Sequence, residues 1–260
     1  MNTSSPLLTP TYAAEVGIVD FLGVVKVVFE ASTQAPAPAL LRTVKAFEAG
    51  ALAGMFSRHP AATTAPMQVE DDAVSQLQHI RRAWQVNGMQ VGAWRVLLNM
   101  LDALHHEIAP LAYVRLLSSD IAKPRLAWRD VIRSPFPRRS AALPFDLRID
   151  RSLEDTSEPL IRLTFERDIN DAALQQLIPL FAVWDRLVLC GGYVQDPDDR
   201  DPVSDIEERL GTQQTYLAAR DTVEHLLYEE VGVAAAFDAV VNMAVKLDLG
   251  FGRVAALEFN

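Results

Sequence analysis

Cysteine is nearly absent: Cys190 is the single one in 260 residues. One thiol cannot close an intramolecular disulfide, and it cannot supply a multi-cysteine zinc or iron–sulfur site. A reducing, cytoplasmic setting fits that composition. Histidine is also scarce, with five in the chain. None stands four residues from another, as a helical zinc pair requires. His105 and His106 are adjacent, and neighbours on a helix point about 100° apart, which suits chelation poorly. They read as a helix end, where a cation suits the dipole.

Motifs are lacking as well. No glycine-rich phosphate loop, no dinucleotide fingerprint and no nucleophile elbow is present. Cys190 lies in "LVLCGGY", which reads as a buried strand with an inert thiol. The N-terminal stretch "MNTSSPLLTPTYAAE" has no basic region, and the apolar run after it contains Asp20 and Lys26. Neither a signal peptide nor a membrane span is expected there. No cofactor and no metal is expected, and the catalytic set is empty.

Half of the residues are hydrophobic and 22% are charged, as in an ordinary globular protein. The net charge of −10 is unevenly spread. Residues 1–140 hold 14 basic and 11 acidic side chains, a net of +3, which leaves −13 for the remainder. An acidic half repels phosphates, so the expectation is a basic protein partner, no nucleic acid and no membrane.

What the chain does contain is a pattern written twice. In "GVVKVVFEAS" and "PLIRLTFERD", Val25, Val27 and Phe29 match Ile161, Leu163 and Phe165 with period-two alternation, so each predicts a half-buried strand. A helix follows each, through Leu40, Val44 and Phe47 and through Leu174, Ile178 and Phe181. "WDRLVLCGGY" then predicts a strand, and "AVSQLQHIRRAWQV" a further helix. "VLLNMLD" and "AVVNMAV" mark a long helix in each half, with Asn99 and Asn242 opposite the apolar stripe. Closing strands follow at 111–117 and 254–259. Extra strands at 16–21 and 145–150 open each half and predict hairpins with their successors. The expected fold is α+β: two pseudo-repeated β-β-α-β-(α)-α-β units, mainly antiparallel sheet with helices packed on one face. The boundaries are 1–122, a Pro/Arg-rich connector 123–140, and 141–260 with an acidic insertion at 195–210.

The connector carries six Lys/Arg and three Pro, and docking onto the acidic half is its simplest reading. The insertion holds the strongest local charge. Asp196, Asp198 and Glu207 take EF-hand positions, but Arg200 and Asp201 defeat that loop. Asp198, Asp199, Asp201, Asp205 and Glu208 are the candidate partner-binding residues. The leading functional reading is a soluble, non-catalytic interaction module, of the physical type of an immunity-protein-like inhibitor. A second reading is an enzyme or small-ligand protein with a cleft between the repeats, near His105, His106, Tyr193 and Asp185. A third is a structural subunit that assembles through its sheet edges.

Overall fold

Alternation decides the strands. In β2 (Val24–Thr33) Val25, Val27, Phe29 and Ala31 point inward and are buried, while Lys26, Val28 and Glu30 take the other face. The computed structural model describes residues 11–19, 24–34, 38–57, 67–70, 78–118, 125–150, 159–195, 205–228 and 234–260. They form an α+β protein with two mixed sheets and six helices.

The first sheet runs β3 (Met67–Glu70), β4 (His79–Asn87), β2, β5 (Leu111–Ser118), β1 (Ala13–Val19) and β6 (Arg125–Leu126). The second runs β9 (Gln214–Ala219), β10 (Thr222–Leu226), β8 (Leu160–Phe165), β11 (Val254–Phe259) and β7 (Asp146–Ile149). Apart from β6, strand order and strand sense correspond between the two. In both, the opening strand lies parallel to the closing one, β1 on β5 and β7 on β11. The expected opening hairpins are therefore absent: β2 is flanked by β4 and β5, and β8 by β10 and β11.

Helices α1 (Pro38–Leu52) and α2 (Gly92–Glu107) pack on the first sheet, and α4 (Asp171–Leu189) and α6 (Ala234–Gly250) on the second. Aromatic rings join each sheet to its helices. Trp84 of β4 stacks on Phe29 of β2 and on Trp94 of α2, and Phe47 of α1 leans on both tryptophans. In the second half, Phe237 of α6 contacts Trp184 of α4 and Phe259 of β11. One continuous buried core spans both halves.

Two predicted elements change type. "WDRLVLC" is the end of α4, which bends into no strand. Leu177, Phe181, Trp184 and Leu187 are its buried face at helical spacing, a period masked by the unbroken apolar run Leu177–Trp184. The helix starts at Asn170, whose side chain accepts a bond from the Ala173 N–H at 2.8 Å. It is long and apolar enough to cross a membrane by composition alone, but it carries buried Asp185 and packs one face on the core. Of the segment expected as a helix, 73–77 lie outside the described residues and 79–86 belong to β4. Its inward set is Ile80, Arg82, Trp84 and Val86. The buried Arg82 broke the apolar alternation, and Glu48 of α1 is its partner at 3.5 Å.

The connector also departs from expectation. Its helix α3 (Trp128–Arg133) packs on α2 and β1 of the first half, not on the acidic half. Gly92 permits this, because a Cβ there would overlap the Pro135 carbonyl oxygen. Beyond that helix the connector does reach the acidic half: Phe136 packs on Tyr193, and Arg139 lies 3.7 Å from Asp238 of α6.

The two asparagines overturn the amphipathic reading most plainly. Asn99 is 2% exposed and Asn242 fully buried. The faces opposite the apolar stripes are not solvated, because each half covers the helices of the other. Asn99 of α2 donates to the carbonyls of Gly192 and Val194, at 3.1 and 2.9 Å, in the turn after α4. Asn242 of α6 donates to the Met55 carbonyl, in the turn after α1, at 3.2 Å. It also donates to Arg138 O at 3.2 Å and accepts from the Ser140 N–H at 3.0 Å. Both turns contain a glycine at positive φ, Gly54 at 84° and Gly191 at 71°.

Replacing Asn242 by Ala strands buried carbonyls and an N–H at once, so Asn242→Ala is expected to destabilise the protein by about 2–4 kcal/mol. Asn99→Ala is expected to cost about 1–3 kcal/mol. Urea titration followed by tryptophan fluorescence measures both; a change within error at Asn242 contradicts the assignment.

Candidate functional site

Among the described residues the two halves meet closely where α1 and α2 face α4 and its following turn. Residue Gly50 of α1 abuts Leu187 of α4, and Gly192 abuts Val96 and Met100 of α2. A cavity at this junction, lined by Arg42, Met100, Arg186 and Cys190 among others, holds about 30 Å³, room for little more than a water. Burial pushes the Cys190 thiol up to about 12, so it stays protonated and unreactive at neutral pH.

The four residues proposed near such a cleft do not converge. His105 ends α2 and is a structural link. It accepts the Leu111 N–H on Nδ1 at 2.8 Å, which places its proton on Nε2, 2.6 Å from Thr11 Oγ1. Burial, and then neighbouring His106, hold its pKa below the usual range against the pull of Asp102. His106 is exposed and sits 3.7 Å from Asp102. Tyr193 is buried against Phe136, and burial raises its phenol pKa.

Asp185 meets a residue that the sequence left unassigned. His225 of β10 lies 2.8 Å from Asp185 through Nε2, and 2.8 Å from Thr215 Oγ1 through Nδ1. Phe181 stacks on the imidazole at 4.7 Å and Trp184 meets it edge-on. The order hydroxyl–imidazole–carboxylate is that of a nucleophilic triad. However, His225 and Asp185 are 1% and 2% exposed, so no substrate reaches the imidazole. Burial raises the Asp185 pKa and His225 opposes the rise. The first half has a counterpart: buried Glu48 of α1 accepts the Trp84 indole N–H of β4 at 2.9 Å. In both halves the carboxylate joins the first helix to the strand beneath it.

Solvent meets the outer faces of the sheets, and there the sequence had shown only alternating polar positions. Across the second sheet Arg148, Glu258, Arg162 and Glu224 form a row of alternating charge. Tyr216 closes it, donating to Glu224 at 2.8 Å. The Tyr216 bond and the Arg162 guanidinium hold the Glu224 pKa below the usual carboxylate range. Across the first sheet the row is Glu15, Arg115, Glu30 and Arg81, opposite in sign position by position. Neither face presents a row of aromatics on its central strands, β2 and β4 or β8 and β10, as a base-stacking platform does.

A groove of about 730 Å³ opens elsewhere, between the start of α4 and the turn from α6 to β11. Arg167, Asn170, Gln176 and Arg253 bring polar groups to it, and Phe165 and Phe251 its apolar part. Asp248 holds Arg253 at 2.7 Å and accepts the Val254 N–H. Among the described residues no three His, Cys, Asp or Glu side chains gather as a metal site would need.

Of the partner-binding candidates, Asp198, Asp199 and Asp201 lie outside the described residues. Asp205 and Glu208 are exposed at the start of α5 (Ile206–Thr212). Their neighbour Glu207 is committed to Arg186 at 2.9 Å and Arg42 at 3.2 Å, joining α5 to α4 and α1.

No family model and no curated protein matches the chain. One solved structure, described as "Cas6 (TTHB231) product complex", aligns with 89% of this chain and 99% of its own, at 13% identity and a TM-score of 0.25. The partner expectation is corrected here. The comparison leads to no inhibitor of a basic protein, and the exclusion of nucleic acid is withdrawn. A likeness at this TM-score assigns no ligand to this chain.

Two outcomes test the site. Asp185→Ala is expected to destabilise by about 2–3 kcal/mol by stranding a buried imidazole N–H, and Asp185→Asn less, since its carbonyl still accepts; calorimetry of both variants checks the order. Because the folded Glu224 pKa is depressed, its contribution is present above about pH 4.3 and is lost as pH falls through the folded value. Glu224→Gln should flatten that part of the acid-stability curve; an unchanged curve contradicts the bond pattern.

Proposed function

We propose that the chain is a non-catalytic interaction module, built from two copies of one β-β-α-β-β-α-β unit, whose open sheet faces are its binding surfaces. The observation that carries this reading is where the polar chemistry sits. The acid, imidazole and amide groups within the fold are engaged in holding helices to sheets and halves to each other. What is turned outward is two broad faces with ordered charge. The correspondence of strand order between the sheets supports the two-copy origin. Exposed Asp205 and Glu208 add a smaller acidic surface beside α5.

The competing reading, a small-ligand protein, is favoured by the groove near Arg167 and Arg253. Thermal-shift measurement against metals, nucleotides, sugars and short single-stranded RNA separates the two. A ligand at a hundred times its Kd adds about 2.7 kcal/mol, which moves Tm by several degrees. The interaction reading expects shifts within about one degree throughout. A large shift with one compound, abolished by Arg167→Ala with Arg253→Ala, overturns it.

A further inference from the structure

The charged row on the first sheet, like that on the second, alternates over an even number of positions. Reading from β1 to β4 its signs are minus, plus, minus, plus. An even, alternating row is its own complement once reversed. A two-fold axis running along the strands, between β5 and β2, performs that reversal. It would set Glu15 of one copy over Arg81 of the other, and Arg115 over Glu30.

The neighbouring row obeys the same operation. Gly17, Leu117, Val28 and Ala83 face each other strand by strand beside the charges. Under the same axis this apolar row covers itself, while the charges meet their opposites. Strands of the two copies then run nearly aligned, the commonest way two sheets stack, about 10 Å apart. Arginine and glutamate side chains span that gap.

The two faces differ in how far the carboxylates of the row are exposed, Glu15 at 58% on the first against Glu258 at 15% and Glu224 at 11% on the second. On the second sheet both oxygens of Glu258 and of Glu224 are taken, by Arg148 and Arg162 and by Arg162 and Tyr216. On the first, both oxygens of Glu30 are likewise taken, by Arg81 Nε and by one terminal nitrogen of Arg115, whose Nε meets Glu15. Glu15, Arg115 and Arg81 are 58%, 50% and 48% exposed. These half-exposed guanidiniums and the Glu15 carboxylate are within reach of a facing row.

We infer that the open face of the first sheet binds a second copy of this chain, as a two-fold dimer with Arg115 over Glu30 at its centre. This rests on the interaction-module reading and names its partner. Five strands about 4.8 Å apart and about seven residues long make a face of roughly 500 Å². The total of about 1,000 Å² is the lower bound for specific association, so the dimer is of modest affinity and sensitive to salt.

Sedimentation equilibrium of the full chain at low and high salt tests this. The wild type is expected to dimerise, with its dissociation constant rising at least about tenfold in 0.5 M salt. Arg115→Glu places like charges at the centre and is expected to give a monomer with native circular dichroism. The fully reversed row, Glu15→Arg with Arg115→Glu, Glu30→Arg and Arg81→Glu, is expected to dimerise with itself but not with the wild type. That selectivity is one that a merely structural role for the row would not produce. A wild type that is monomeric at all concentrations overturns the inference, as does a dimer unaffected by Arg115→Glu. Open-ended polymers overturn it too, since they require the first sheet to meet the second. A monomer whose first-sheet variants still lose a different protein partner overturns self-pairing alone and leaves the interaction reading standing.

Discussion

Everything else in this fold depends on two buried amides. Asn99 and Asn242 each reach from a central helix of one half into the turn that ends the first helix of the other. An amide buried without partners costs several kcal/mol, and one with its donors and acceptor engaged costs little and fixes a register. Apolar packing alone would let α1 and α4 slide along one another, because leucine and alanine surfaces are tolerant of small displacements. The amides accept one alignment. Asn242 also grips Arg138 and Ser140, so the connector is set by the same side chain that sets the halves.

That alignment explains how the remaining polar groups are disposed. Once the helices of both halves pack against each other and on their sheets, a buried carboxylate on the first helix meets the strand beneath it. Glu48 finds Trp84 and Arg82; Asp185 finds His225. These arrangements resemble catalytic constellations in composition but serve packing. The sheets, covered by helices on one face, keep the other for solvent. Ordered charge collects there because outward residues on neighbouring strands come into register, and opposite charges directly across a pair are favoured. Three side chains of the first row are about half exposed, while the glutamates of the second are largely covered.

Much of this could be read in the chain, and the parts that could not share a cause. The strands at 24–33, 111–118, 160–165 and 254–259 were legible because each buries one face, so period two is visible. The end of α4 was illegible because Leu187 to Leu189 is a short apolar run before two glycines, in which three residues show no period. Strand β4 was hidden by Arg82, a charge on the buried side that only its contact with Glu48 accounts for. The parallel pairing of β1 with β5 could not be read, since strand neighbours in sequence are the default expectation and a crossover leaves no local mark.

The sequence by itself determined the α+β class, the strand-and-helix order of most of each half, and the inert setting of Cys190, because these follow from periodicity and local composition. Tertiary structure alone decided that Asn99 and Asn242 are interior groups, that His225 belongs to Asp185, and that Glu15, Arg115, Glu30 and Arg81 form one row. Each of those facts joins residues far apart in the chain. A helix also has two sides, and which of them meets water depends on what the rest of the chain lays over it.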